Sequence, residues 1–109
     1  MGTDTLLAFC SAPDMDTAER MAEKLVEQRI VACVSNIPSV SSVYQWQGKI
    51  ERSQEVLMLI KLPAAAYAQL QQAILALHPY DTPEIIAVDI KTGLPDYLQW
   101  VQQCTNSSI

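Results

Sequence analysis

The chain has 109 residues, half of them hydrophobic and 17% charged, with a formal net charge of −5. That profile fits one packed domain over residues 1–109 and argues against a disordered chain. The basic residues Arg20, Lys24, Arg29, Lys49, Arg52, Lys61 and Lys91 are scattered, which argues against a nucleic-acid partner, and no apolar run approaches the ~20 residues of a membrane helix.

Leu6 to Ser11 is a short apolar run ending before Pro13 and reads as a strand. Asp14 and Asp16 are candidate N-caps for a helix, with Glu19 placed to complete a capping box with Asp16. Met15, Ala18, Met21, Ala22, Leu25 and Val26 then recur at helical spacing. Ile30 to Ile37 reads as a second strand, broken by Pro38. Tyr44 and Trp46 alternate onto one face of a further extended run. Gly48-Lys49 signals a turn, and Ile50 to Leu62 is the returning arm of a long hairpin that begins near Ser41. Pro63 suits the first position of a second helix carrying Tyr67, Leu70, Ile74 and Leu77 on one stripe. The stiff segment from His78 to Glu84 follows, in which Pro79 and Pro83 bias His78 and Thr82 toward extended backbone. Glu84 to Ile90 is the last strand, Gly93 to Pro95 a turn, and Tyr97, Trp100, Val101 and Cys104 mark a closing helix. Fraying is expected from Thr105 to Ile109.

The order β-α-β-β-α-β plus one helix predicts an α+β, ferredoxin-like sandwich with an extended hairpin and an extra C-terminal helix. In such a sheet the face away from the two main helices should be polar. Here Leu6 to Cys10, Val56 to Ile60 and Ile85 to Val88 are apolar on both faces. One short closing helix cannot cover a whole sheet face, so an obligate homo-oligomer is expected.

Three sets of residues can carry chemistry. Cys10 and His78 lie at the ends of the first strand and second helix, ends that a ferredoxin-like layout can bring together. Thiolate and imidazole suit copper or zinc better than hard cations, although a buried Cys and a helix-capping His are the commoner roles. The carboxylates Glu51, Glu55, Asp81 and Glu84 flank the hairpin and the elbow, where surface solubility is the commoner role. Lys61 follows an apolar run and is placed for an interface, a pocket or a snorkelling strand end. Tyr44, Trp46 and Tyr80 complete the list, the first two best explained by packing between subunits. Cys10, Cys33 and Cys104 are odd in number and lack C-x-x-C spacing, against a disulfide framework or structural zinc. No phosphate loop, nucleophile elbow or H-E-x-x-H is present, so no enzyme is expected. An acylphosphatase-type loop would need an arginine where Ser11-Ala12-Pro13 stands. With no basic-then-apolar leader visible, the cytoplasm is the expected compartment.

Ala32-Cys33-Val34, Asn36-Ile37-Pro38, Ser42-Val43-Tyr44, Trp46-Gln47-Gly48-Lys49-Ile50-Glu51 and His78-Pro79-Tyr80-Asp81-Thr82-Pro83-Glu84-Ile85-Ile86 stand in this order. So do Ser11-Ala12-Pro13, Glu55-Val56, Lys61 and Tyr97-Leu98-Gln99-Trp100. The chain thereby resembles the divalent-cation tolerance (CutA) family from about Leu6 to Val101. The resemblance implies a ferredoxin-like subunit in a cytoplasmic homotrimer, with a role in divalent-metal tolerance and copper as the associated metal. The family's proposed copper ligands would map to Cys10 and His78; Leu77 stands where some members carry a second His. Cys33 matches another family cysteine. A metal-binding homotrimer is the leading expectation. The alternative is a PII-like small-molecule module whose clefts between subunits are lined by Cys33, Trp46, Glu55, Lys61, Tyr80 and Glu84.

Overall fold

The computed structural model describes residues 4–105. Four antiparallel strands form one sheet in the order β2-β3-β1-β4, comprising β1 (Thr5–Ala12), β2 (Cys33–Trp46), β3 (Lys49–Pro63) and β4 (Ile85–Asp89). Helices α1 (Met15–Glu27) and α2 (Tyr67–Leu77) cover one face, and α3 (Pro95–Gln103) follows β4. This is the α+β, ferredoxin-like arrangement expected from the element order, with both long helices packed on the same core.

That core alternates along the strands. Ala8, Cys10 and Ala12 of β1, with Val56, Met58, Ile60 and Leu62 of β3, are buried against Ala18, Met21 and Leu25 of α1 and Leu70 and Ile74 of α2. The other strand period points away from the helices. It places Leu7 and Phe9 beside Leu59 and Lys61 on β3 and beside Ile86 and Val88 on β4. On β2, Cys33, Ser35 and Ile37 share this second face through their pairing with Lys61, Leu59 and Leu57. Among the described residues only one end of the face is covered, by α3. There Gln102 donates to the Thr5 hydroxyl at 3.2 Å, and the Tyr97 hydroxyl lies 3.6 Å from the Cys33 sulfur. Beyond that end Ile86 is 55% and Val88 49% exposed.

Several local expectations are corrected. Pro38 does not break the second strand. β2 runs through it with a bulge, in which Pro38 and Ser39 together face Val56, Ser39 at φ 60°. A residue without an N–H is tolerated where one strand carries an extra residue, so the proline marks a bend in a longer strand. The hairpin arms are therefore Cys33–Trp46 and Lys49–Pro63, closed by Gln47 and Gly48 at φ 51° and 79°. Positive φ at both turn residues is the two-residue geometry that matches strand twist.

At the start of α1 the cap is Asp14, which accepts from the Thr17 N–H at 2.8 Å; Asp16 instead pairs with Arg20 on the surface. Pro63 ends β3, and a 3₁₀ turn over Ala64–Ala66 precedes α2. β2 begins at Cys33 because Ile30 closes a Schellman motif. The Ile30 N–H bonds the Leu25 carbonyl, and the Arg29 N–H the Val26 carbonyl, with Arg29 at φ 58°. Thr105 is buried, its hydroxyl donating to the Gln102 carbonyl, so the chain does not fray there. Residues 106–109 of the expected tail lie outside the described residues.

Arg29 occupies a backbone region that favours glycine, and its side chain supplies a reason. Its Nε and Nη2 donate to the carbonyls of Cys104 and Gln103, at the C-terminal end of α3. A cation there satisfies orphan carbonyls and complements the helix dipole. Arg29→Ala is expected to destabilise the fold by roughly 1 kcal/mol and to speed amide hydrogen exchange in α3 before the rest of the chain. Unchanged exchange in α3 would show that the guanidinium does not hold that helix.

Candidate functional site

The elbow between α2 and β4 follows from proline chemistry. His78 caps α2 with φ −76° and ψ 140°, the extended conformation that a following Pro79 favours. Its ring thereby turns off the helix axis and back toward the sheet. His78 is nearly buried and Nε2 lies 2.7 Å from the carbonyl oxygen of Ser11, at the end of β1. The Tyr80 N–H donates to Nδ1 at 3.0 Å, and the two rings sit 4.7 Å apart. Since Nδ1 accepts, Nε2 carries the proton and donates to Ser11, which assigns the neutral tautomer.

Cys10, the residue before Ser11, points to the helix side and is fully buried. Its thiol also reaches the Ser11 carbonyl, at 3.8 Å. Burial, and then the negative charge of Glu84, push the Cys10 thiol from 9.0 up to about 12. The fold therefore brings Cys10 and His78 to one oxygen, as the sequence expectation required, but with the thiol protonated and both imidazole nitrogens already bonded. Among the described residues no group of three or more His, Cys, Asp or Glu is placed to hold a metal ion. As folded, the pair does not form a closed metal centre; it offers two soft donors to an ion that displaces their present partners.

The opposite side of Ser11 belongs to the second sheet face. Its hydroxyl donates to Glu84 Oε1 at 3.2 Å. Nearby, Tyr80 faces the Glu55 carboxylate and Tyr44. Desolvation first, then Glu55 and Tyr44, hold its phenol above the ordinary range. Elbow, hairpin and β1 thus meet in a patch of carboxylates and hydroxyls.

A second polar group lies on the same face at the far end of β3. Lys61 is directly opposite Cys33 in the ladder. Its ammonium donates to the Ser35 hydroxyl at 2.9 Å and the Leu59 carbonyl at 3.3 Å. Cys33 in turn touches Tyr97 of α3, and the hydrogen bond with Cys33, then desolvation, raise the Tyr97 phenol to about 12.

The six residues expected to line one cleft therefore fall into three places within a subunit. Tyr80, Glu55 and Glu84 gather at the elbow, Cys33 and Lys61 at the other end of the face, and Trp46 at the hairpin tip opposite Lys49, 61% exposed. Lys49, Glu55 and Lys61 are spaced six positions apart on β3, about 20 Å at each step. The contributions of Ser11, Ser35 and Tyr97 were not singled out in the sequence. Alternation would have put Ser35 on the face of Cys33, but nothing local marks Tyr97 as its partner.

The family model for the CutA1 divalent ion tolerance protein matches residues 6–104. Protein CutA of Mus musculus is 42% identical over 100 residues, covering 92% of this chain and 56% of its own; the chain spans little more than half of that relative. The crystal structure of CutA from Xylella fastidiosa is 43% identical, covers 94% of this chain and 99% of its own, and has a TM-score of 0.92. The periplasmic divalent cation tolerance protein CutA of Archaeoglobus fulgidus is 34% identical over 92% of this chain and 97% of its own, with a TM-score of 0.89.

The raised thiol has a direct readout. Iodoacetamide at pH 8 is expected to alkylate Cys104 and Cys33 well before Cys10, as peptide mass mapping would show; equally fast labelling of Cys10 would contradict its burial. The linkage sign follows from a folded value above the unfolded one. The stability contributed by the buried thiol is intact below pH 9.0 and declines as pH climbs from there toward about 12. Thermal melts across that window should fall less steeply for Cys10→Ala.

Proposed function

Because the chain belongs to the CutA1 divalent ion tolerance family, we propose that it acts in metal tolerance as a non-enzymatic cytoplasmic homotrimer, a single domain over residues 1–109 in each subunit. Copper is its proposed cargo ion, with Cys10 and His78 as the contacting side chains. No described helix is long and apolar enough to cross a membrane. The observation that carries the assembly is the second sheet face. Ile37, Ile86 and Val88 are exposed there beside half-buried Leu7, Phe9, Leu57 and Leu59. An apolar face of this breadth is stabilised by a partner, and the edge strands β2 and β4 offer unpaired backbone groups for the same contact.

Convergence of a thiol and an imidazole on one oxygen supports the copper contact, since this donor pair favours soft or borderline ions. Capture requires the Cys10 thiol to shed its proton and His78 Nε2 to release Ser11. The contact is therefore weak near neutrality and strengthens with pH, by about tenfold per unit for one displaced proton. A second reading, a ligand module with clefts between subunits, is favoured by the Lys61 ammonium, which has no carboxylate partner among the described residues.

Sedimentation equilibrium at micromolar concentration is expected to give a trimer, and Ile86→Glu to dissociate it without unfolding the helix-covered core. A monomeric wild type would remove the assembly. Competitive copper titrations at two pH values are expected to show at least about tenfold weaker binding for Cys10→Ala and His78→Ala than for wild type. Equal affinities would free both residues of the role.

A further inference from the structure

We propose that Lys61, flanked by Ser35, Cys33 and Tyr97, forms a binding site for a small oxyanion, a carboxylate or a phosphate. The inference deepens the ligand-module reading and is independent of the copper contact. The Lys61 ammonium stands on an apolar face, with Leu7 beside it on β1 and Leu59 two residues back on β3. An ammonium has three N–H donors. Two are used, on the Ser35 hydroxyl and the Leu59 carbonyl, and the third is free. Both acceptors are neutral. The ion pair seen among the described residues joins Arg20 and Asp16 on the far side of the molecule, so the Lys61 charge is uncompensated.

The groups around it are donors. The Ser35 hydroxyl accepts from Lys61 through its oxygen and keeps its own proton to give. Cys33 lies across the ladder from Lys61, and the Tyr97 hydroxyl lies 3.6 Å from its sulfur, so that of the two protons there at least one can turn outward. The high pKa of Tyr97, about 12, keeps it a neutral donor at physiological pH. A lone cation bonded to the Ser35 hydroxyl, with the Cys33–Tyr97 pair across the ladder and Leu7 and Leu59 beside it, matches an oxyanion with several acceptor lone pairs. The carboxylates of the face, Glu55 and Glu84, sit at its other end and do not compete. Charge-assisted hydrogen bonds are the strong ones, and a half-covered apolar setting strengthens them.

The test uses inorganic phosphate and succinate as probes, against sodium chloride at equal ionic strength, with the full chain. Wild type, Lys61→Met and Lys61→Arg are compared by isothermal titration and thermal melting, with sedimentation reporting assembly. Wild type is expected to gain a few degrees in Tm over chloride. Lys61→Met should bind at least about tenfold more weakly, and Lys61→Arg should stay within a few-fold of wild type because it keeps the charge. Absence of anion-specific stabilisation in wild type would overturn the proposal, as would an equal response in Lys61→Met. Dissociation of the assembly by Lys61→Met would also overturn it, assigning Lys61 to a carboxylate of a second copy instead. A monomeric wild type that still binds phosphate through Lys61 would sink the trimer and leave this site standing.

Discussion

The structure is governed by a mismatch between a sheet apolar on both faces and a chain that covers only one of them fully. β1 and β3 are the central strands, and over Leu6 to Cys10 and Val56 to Ile60 they alternate apolar with apolar instead of apolar with polar. The helix-facing period closes into a core of near-complete burial: Ala8, Cys10, Met58, Ile60, Leu62, Leu70 and Ile74 have no exposed surface. Burial of side chains of this kind stabilises by about 25 cal/mol per Å² of apolar area. The other period is as greasy and has only α3 over one end. Two polar groups sit at the margins of that second face: the elbow with Ser11, Glu84, Tyr80 and Glu55 at one end, and Lys61 with Cys33 and Tyr97 at the other.

The Ser11 carbonyl is the joint between the two faces at the elbow. β1 pairs with β4 only as far as Cys10 while its ladder with β3 continues, so the Ser11 carbonyl is open to His78, and the ring that reaches it also holds the Tyr80 amide. The same chain position serves the core through the Cys10 thiol and the open face through the Ser11 hydroxyl on Glu84. Soft ligands and structural pins are chemically alike here. A thiol and an imidazole placed within reach of one buried carbonyl stabilise the fold when unmetallated, and they are also the donors a copper ion would select. Which role prevails depends on the free energy of moving one proton off Cys10 and one hydrogen bond off His78, which burial makes large.

The sheet and its helices were legible because their signals are periodic. The two-sided strands, the α2 stripe and the extended His78 before Pro79 could all be read from residue type and spacing. Local exceptions were less legible because they depend on distant partners. Pro38 reads as a breaker in isolation, yet β3 continues beside it and a bulge absorbs the missing donor. Arg29 gives no glycine-like signal for a left-handed cap; its place is stabilised by the carbonyls of α3, more than seventy residues later in the chain. Asp14 and Asp16 are both candidate caps in sequence, Asp16 with the added capping-box partner Glu19, yet the Thr17 N–H goes to Asp14. At the site, Cys10 and His78 were legible as a pair. The separation of Trp46, Glu55 and Lys61 was not, because the long hairpin carries Trp46 to its tip and sets Glu55 and Lys61 about 20 Å apart along β3.

Covering the second face and charging Lys61 are coupled through the dielectric. In water, an ammonium with one of its three donors free and no counter-charge costs little. Under a second apolar surface the same charge loses hydration, and leaving it unpaired becomes expensive. The Ser35 hydroxyl and Leu59 carbonyl lower that cost without cancelling it, because neutral dipoles cannot replace a counter-charge. An oxyanion at Lys61 would therefore stabilise a closed assembly more than an open subunit, and closure would in turn tighten its hold on the anion. Such reciprocity is a property of any ligand whose binding energy differs between two states. With this sheet it follows from a single lysine set among leucines.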